Sequence, residues 1–248
     1  MAERYENAPI LEAVIELRVA SADGAPLADV NRVRIPDDNL YPEVRDRFMV
    51  QGAFQISDEA VTTTADRNHI GYEYKSKDGK QVVYSTVQGF VYSLSAPYDC
   101  WGRFVDEGWR LWLRYREHAK PDRVTRIAVR YINRIEVPKP QIELKDYLRT
   151  YPELSPDLPQ ALAGFFMQTL VPLPAYGAFV NITSALQKQN PESISVILDL
   201  DCFRETPELM VSSHDFDEEA RRVLVSLRSA KNAVFEACIT DEVRRLIR

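Results

Sequence analysis

Two acidic residues, Asp199 and Asp201, lie two positions apart in an apolar segment of the chain. They alternate with Leu198, Leu200 and Cys202, so a β-strand would place both carboxylates on one face and the apolar side chains on the other. Carboxylates about 7 Å apart could hold Mg²⁺ between them, because hard cations prefer oxygen ligands. A solvated or salt-bridged acidic face is the alternative, and it is the commoner fate of such residues.

Three arginines recur at every fourth residue of a neighbouring apolar segment, 124–135. Arg126, Arg130 and Arg134 would share one face of a strand, where guanidinium groups could bind phosphate or carboxylate through paired hydrogen bonds. Alternatively, the row pairs with acidic side chains on neighbouring strands, which is the commoner outcome. The acidic residues available on predicted strands are Glu12, Glu16, Asp199 and Asp201.

Together, the acidic and basic rows suggest one catalytic hypothesis. If their faces converged inside a barrel, carboxylates would hold Mg²⁺ and arginines would hold phosphate groups. Such a lining resembles that of tunnel enzymes acting on triphosphates, whose first strand alternates Glu-x-Glu-x-Lys. The pattern here, Glu12-x-x-x-Glu16-x-Arg18, departs from that spacing. The hypothesis is a Mg²⁺-dependent phosphohydrolase or a nucleotide- or polyphosphate-binding protein, and no cofactor other than Mg²⁺ is expected.

A second kind of candidate site lies on a helix predicted over residues 98–119. Trp109 and Leu113 fall off its main apolar stripe, and Arg110 and Arg114 flank them. Exposed tryptophan and arginine side chains are typical of protein-interface hot spots, and they can also stack on single-stranded bases. The alternative is an ordinary core helix. The chain has 31 basic and 37 acidic side chains, a net charge of −6, which makes nucleic acid the less favoured partner.

Several chemistries are excluded by motifs that the sequence lacks. Its three cysteines, Cys100, Cys202 and Cys238, form no Cys-x-x-Cys pair, and none of its three histidines stands at metal-ligand spacing from another histidine or cysteine. No Walker-type loop, Gly-x-Gly-x-x-Gly turn or Gly-x-Ser-x-Gly elbow occurs. No apolar run is long enough to cross a bilayer and no signal sequence opens the chain, so we expect a soluble, cytoplasmic protein.

Hydrophobic alternation predicts the strands that would carry these residues. The clearest hairpin is centred on Asp78-Gly79, and Tyr41–Phe48 is predicted as a short helix. Long helices are predicted over 98–119 and after Asp215, and strands over 8–19, 124–137, 165–173, 178–187 and 193–204. Pro138-Lys139-Pro140 marks the best boundary. The predicted fold class is α+β, with two strand-rich antiparallel lobes, 1–140 and 141–248, each with a long amphipathic helix packed on its sheet and both packed as one unit.

The opening strand resembles the hallmark of a known family. Pro9-Ile10-Leu11-Glu12-Ala13-Val14-Ile15-Glu16 is similar to the N-terminal motif Pro-Ile-x-Glu-Ala-Val-x-Glu of an uncharacterised family that occurs sporadically in bacteria and archaea. The chain departs from the family at Val19, where an aromatic residue is usual. Further similar motifs follow in order: Tyr98-Asp99-Cys100-Trp101, Arg130-Tyr131-Ile132-Asn133-Arg134-Ile135, Asp199-Leu200-Asp201, Lys231-Asn232-Ala233-Val234-Phe235 and Ile239-Thr240. The resemblance implies a free-standing cytosolic protein in an accessory or mobile-element system, and it carries over no catalytic role.

The leading functional hypothesis is a non-enzymatic binding or regulatory protein. It rests on the missing catalytic motifs and on the candidate contact surface at Trp109. We expect a protein partner or self-association. The family resemblance implies that the partner is encoded nearby, in a defence or toxin–antitoxin setting.

Overall fold

A computed structural model describes residues 5–21, 24, 26–33, 39–56, 61–160 and 162–248. The strands are β1 (Ile10–Ala20), β2 (Glu43–Ile56), β3 (Val61–Lys75), β4 (Gln81–Thr86), β5 (Gly89–Ser95), β6 (Arg123–Val137), β7 (Phe166–Leu173), β8 (Ala178–Asn190) and β9 (Ser193–Met210). The helices are α1 (Leu27–Asn31), α2 (Trp101–Ala119), α3 (Leu144–Tyr147), α4 (Phe216–Cys238) and α5 (Asp241–Ile247). The strands form one antiparallel sheet in the order β2-β3-β4-β5-β1-β6-β9-β8-β7. A large antiparallel sheet with helices confirms the α+β class.

The sheet continues across the predicted boundary at Pro138-Lys139-Pro140. β6, which ends at Val137, pairs with β1 on one side and with β9 on the other. Strands from 1–140 and from 141–248 therefore belong to one sheet, in which a division into two lobes is not visible. Each part still supplies one long helix, α2 before the boundary and α4 after it.

Both long helices cover the same face of the sheet. Gly108 of α2 lies against Ile15 of β1 and Tyr92 of β5, and Lys231 of α4 lies over Tyr131 of β6. The side chains that alternate with these residues point to the opposite face, which carries neither α2 nor α4. We call this opposite side the open face.

Helix α2 forms where apolar residues recur at helical spacing, and it buries aromatic side chains against the sheet. The rings of Trp112 and Tyr115 lie 6.1 and 5.9 Å from that of Phe90 on β5. The helix ends where Lys120 adopts a left-handed conformation, with a φ of 46°, and Pro121 follows. Within the ranges given above, no helix is long and apolar enough to cross a membrane.

The short helix predicted at Tyr41–Phe48 is wrong, because the segment enters strand β2 at Glu43. From Glu43 onward its backbone pairs with β3, and Glu43 lies opposite Lys75. The Phe48 ring is 5.1 Å from that of His69 on β3. Pairing with a strand further along the chain thus overrides the local helical pattern.

Gly108 has no side chain at a point where α2 lies against the sheet. An added Cβ would lie 3.0 Å from Tyr92 Cδ1 and 3.2 Å from Ile15 Cδ1. We expect Gly108→Val to lower the free energy of unfolding by about 1–3 kcal/mol through overpacking. The control is Gly102→Ala in the same helix, whose added Cβ meets no heavy atom within 4 Å and should cause no loss. Urea unfolding measures both, and equal losses would contradict close packing at Gly108.

Candidate functional site

Strand register brings most of the predicted polar residues to the middle of the open face. β1 lies beside β6 with Glu16 opposite Ala128, and β6 lies beside β9 with Arg130 opposite Asp201. Because neighbouring residues of a strand point to opposite faces, Tyr131 faces α4 while Arg130 faces away from it. The acidic and basic rows therefore meet on one surface.

The Arg126 guanidinium lies at the centre of this surface. It bonds to the Glu16 carboxylate, and its Nη2 donates a hydrogen bond to Asp201 Oδ2 at 2.8 Å. Arg126 is only 6% exposed, and its guanidinium lies 4.3 Å from the centre of the Phe203 ring. Arg18 extends the chain of ion pairs, because its Nε donates to Glu16 Oε1 at 2.6 Å. These contacts compensate the charges of Glu16 and Asp201.

Arg130 and Asp199 form a second ion pair beside the first. Arg130 Nε donates to Asp199 Oδ1 at 2.8 Å, and Nη2 donates to Oδ2 at 2.5 Å. The hydrogen bonds to the Asp199 carboxylate raise the pKa of Arg130, against the opposing effect of burial. We call the combined set the central ion-pair network, which consists of Glu16, Arg18, Arg126, Arg130, Asp199 and Asp201.

Two of the predicted site residues lie outside this network. Glu12 accepts a hydrogen bond from the Ser93 hydroxyl of β5. Arg134 Nε lies 3.0 Å from Glu136 Oε1, on its own strand. Arg126 and Arg130 therefore form the cross-strand ion pairs predicted for the arginine row: Arg126 pairs with β1 and β9, and Arg130 pairs with β9. Arg134 does not, because its ion pair is with a residue of its own strand.

A small hollow opens in the open face beside the network. Its volume is about 220 Å³. We call it the central hollow; its lining residues are Val14, Glu16, Arg18, Val91, Ala128, Arg130 and Asp201. The side chains of Arg18 and Arg130 are 57% and 45% exposed, so both guanidinium groups keep surface that a bound molecule could contact.

Every carboxylate of the network forms an ion pair with arginine. Glu16, Asp199 and Asp201 each contact at least one guanidinium group, so Mg²⁺ would compete with arginine for these carboxylates. In the part of the chain that the structure describes, no group of three or more histidine, cysteine, aspartate or glutamate side chains is arranged to hold a metal ion. The arrangement is a fixed pattern of paired charges.

The candidate contact surface on α2 differs from the prediction. Trp109 is only 4% exposed, and the Arg221 guanidinium of α4 lies 4.8 Å from the centre of its ring. The prediction that Trp109 is exposed is therefore wrong, because α4 covers its side chain. Periodicity within α2 cannot show which side chains a neighbouring helix will cover. Arg110 is exposed, whereas Leu113 and Arg114 are half-buried.

A second polar group, absent from the predicted site residues, lies on the helix-covered face. The Lys231 amine of α4 is 3.9 Å from the centre of the Tyr131 ring. Burial lowers the pKa of Lys231 to about 8, and the positive charge of Arg228 acts in the same direction. The signal that could have found this group is spacing, because Lys231 falls on the apolar stripe of α4 between Leu227 and Val234.

The three cysteines form no disulfide. Cys202 and Cys238 are buried, as predicted for free thiols, and Cys100 is half-buried at the start of α2. Burial raises the pKa of Cys202 to about 12, so its thiol stays protonated at neutral pH.

No protein-family model matches this chain, and no curated protein matches it at a significant level. The family resemblance at Pro9–Glu16 therefore stays a prediction.

Arg126→Met removes the cation that lies between two partly buried carboxylates. We expect it to lower the free energy of unfolding by about 2–4 kcal/mol, because Glu16 and Asp201 lose their buried partner. Arg18→Met is the matched control, since it removes an exposed guanidinium from the same Glu16 and should cost less than about 1 kcal/mol. Denaturant unfolding at neutral pH measures both variants. Similar losses would show that burial of the guanidinium does not decide the effect.

Proposed function

We propose that this protein is a cytosolic binding or regulatory protein whose open face receives a protein partner, either another protein or a second copy of the chain. The observation that carries the proposal is the central ion-pair network, in which Glu16, Asp199 and Asp201 are each bonded to arginine. An arginine bonded to a carboxylate competes with Mg²⁺ or with a substrate proton for the carboxylate oxygens. Carboxylates already bonded to arginine present a fixed charge pattern instead, which suits recognition.

The chemistry of the central hollow favours a partner that brings an acidic or mixed-charge segment. Val14, Val91 and Ala128 give the hollow an apolar part, from which a bound side chain would exclude water. The partly exposed guanidinium groups of Arg18 and Arg130 have donors left for a carboxylate of the partner. Arginine beside apolar surface is typical of interface hot spots.

The family resemblance extends this proposal to an accessory role. A free-standing protein of that kind would act with a partner encoded nearby, in a defence or toxin–antitoxin setting. This part of the proposal is supported by the motif at Pro9–Glu16 alone and by no contact in the fold.

A second candidate function is Mg²⁺-dependent phosphohydrolysis, or the binding of a nucleotide or polyphosphate. The observation in its favour is that two acidic and two basic side chains, Glu16, Asp201, Arg18 and Arg130, line one hollow. The arginines would bind phosphate, and each carboxylate would exchange an arginine contact for Mg²⁺. This candidate requires an activity that depends on both Mg²⁺ and Asp201.

A photo-crosslinking amino acid at position 18 tests the partner proposal, because Arg18 borders the central hollow. The same amino acid in place of Arg103 is the control, since that side chain is 84% exposed on α2, away from the open face. In cells that produce the protein, we expect an adduct of one defined mass from position 18 and none from position 103. Ala128→Leu adds volume inside the hollow and should reduce the adduct severalfold.

Hydrolysis of inorganic triphosphate separates the two candidate functions. If the open face is a partner surface, purified protein with Mg²⁺ should release no phosphate beyond the protein-free rate. Release that requires Mg²⁺ and is lost in Asp201→Asn, together with the absence of an adduct from position 18, would replace the first proposal with the second.

A further inference from the structure

Four polar side chains meet on the helix-covered face, on the other side of the sheet from the central hollow. The Lys231 amine is 3.9 Å from the centre of the Tyr131 ring, and the Tyr131 hydroxyl is 2.7 Å from the Tyr98 hydroxyl. Arg228, one turn before Lys231, has its guanidinium 5.4 Å from the centre of the Trp101 ring. We call this set, Tyr98, Tyr131, Arg228 and Lys231, the Lys231 cluster; it lies between α4, β6 and the start of α2.

The cluster holds two cations, and among the described residues no carboxylate forms an ion pair with either of them. Burial removes water from the Lys231 amine and lowers its pKa to about 8; the thiol of Cys202 on β9 opposes this shift, and the charge of Arg228 adds to it. At about pH 7.5, roughly a quarter of the amine is then unprotonated, compared with about one part in a thousand for an ordinary lysine. Only the unprotonated amine is a nucleophile.

The neighbours of Lys231 supply what a carbonyl ligand would need. The Arg228 guanidinium is exposed, and such a group binds carboxylate or phosphate through paired hydrogen bonds. Burial raises the pKa of both Tyr98 and Tyr131, so their hydroxyls stay protonated at neutral pH. One hydroxyl donates to the other, which leaves one proton for a hydrogen bond to a ligand. A nucleophile, an anion-binding group and a hydrogen-bond donor therefore lie together.

We propose that Lys231 is an imine-forming amine whose ligand is a small aldehyde or ketone that carries an anionic group. The lone pair of Nζ attacks the carbonyl carbon and forms a C–N bond, while a proton passes from nitrogen to the carbonyl oxygen and a carbinolamine results. Loss of the hydroxyl group and the remaining amine proton as water gives the imine. One amine and one carbonyl compound thus yield one imine and one water, with no oxidant or reductant. Arg228 binds the anionic group.

Reductive trapping tests the proposal on the intact protein. The protein is incubated with glyoxylate and cyanoborohydride at about pH 7.5, and modified lysines are quantified by peptide mass spectrometry. We expect Lys231 to be modified at least about tenfold faster than Lys139. Lys139 is the matched control because it also lies over a tyrosine ring, 5.9 Å from that of Tyr147, but is exposed and has a raised pKa owing to its hydrogen bond with Tyr147.

The pH dependence of acetylation distinguishes a lowered pKa from simple accessibility. In competitive labelling with acetic anhydride, modification of Lys231 should reach half its limiting rate at about pH 8. Modification of Lys139 should still be increasing above about pH 10. Equal trapping rates for the two lysines, or a Lys231 profile that coincides with that of Lys139, would overturn the imine proposal.

Arg228→Gln tests whether the ligand must be anionic. Trapping at Lys231 should be severalfold slower in this variant with glyoxylate and with pyridoxal 5′-phosphate, which carry a carboxylate and a phosphate group. Trapping with uncharged propanal should slow only as far as loss of the Arg228 charge raises the pKa of Lys231, so the rates with the two anionic aldehydes should fall severalfold relative to the rate with propanal. If Arg228→Gln slows all three aldehydes by the same factor, or slows none of them, the proposal of an anionic ligand is wrong. The aldehyde that is trapped at the lower concentration identifies the preferred anionic group.

Discussion

The pairing of β6 with β9 is the contact on which both candidate sites depend. It sets Arg130 opposite Asp201 on the open face, and it sets Tyr131, the next residue of β6, opposite Leu200 on the face beneath α4. Because side chains alternate along a strand, a slip of one residue would turn Arg130 toward α4 and Tyr131 toward the open face. A single register therefore builds the central ion-pair network and the aromatic floor of the Lys231 cluster together.

Arg126 gives a physical reason for this register. At 6% exposure its guanidinium loses most of its hydration, and the observed register offsets that cost with Glu16, Asp201 and the ring of Phe203. A shifted register would bury the same cation without its acids. Buried ion pairs often add little stability relative to apolar residues of similar size. We infer that the network acts mainly by specifying which strands pair and in which register.

Hydrophobic alternation predicts the face on which each strand residue lies, and it does so correctly for Asp199 and its apolar neighbours. It cannot predict which strands are neighbours, since Arg126 and its partner Glu16 are 110 residues apart in sequence. The same limit explains two wrong predictions. The segment Tyr41–Phe48 is extended and not helical because it pairs with β3, and Trp109 is buried and not exposed because α4 covers it. Lys231 is visible on the stripe of α4, but a lysine on such a stripe can also extend its amine to water.

The two faces of the sheet differ in how they compensate positive charge. On the open face, each arginine of the central ion-pair network bonds to a carboxylate, whereas Lys231 and Arg228 have no such partner among the described residues. The chain has 37 acidic and 31 basic side chains, so this difference reflects placement and not a shortage of acid. Two uncompensated cations in a partly buried corner raise the free energy of protonated Lys231. Binding of an anion, or conversion of the amine to a neutral imine, would remove that cost. Ligand binding therefore fits the helix-covered face, whereas the paired charges of the open face fit recognition of a partner.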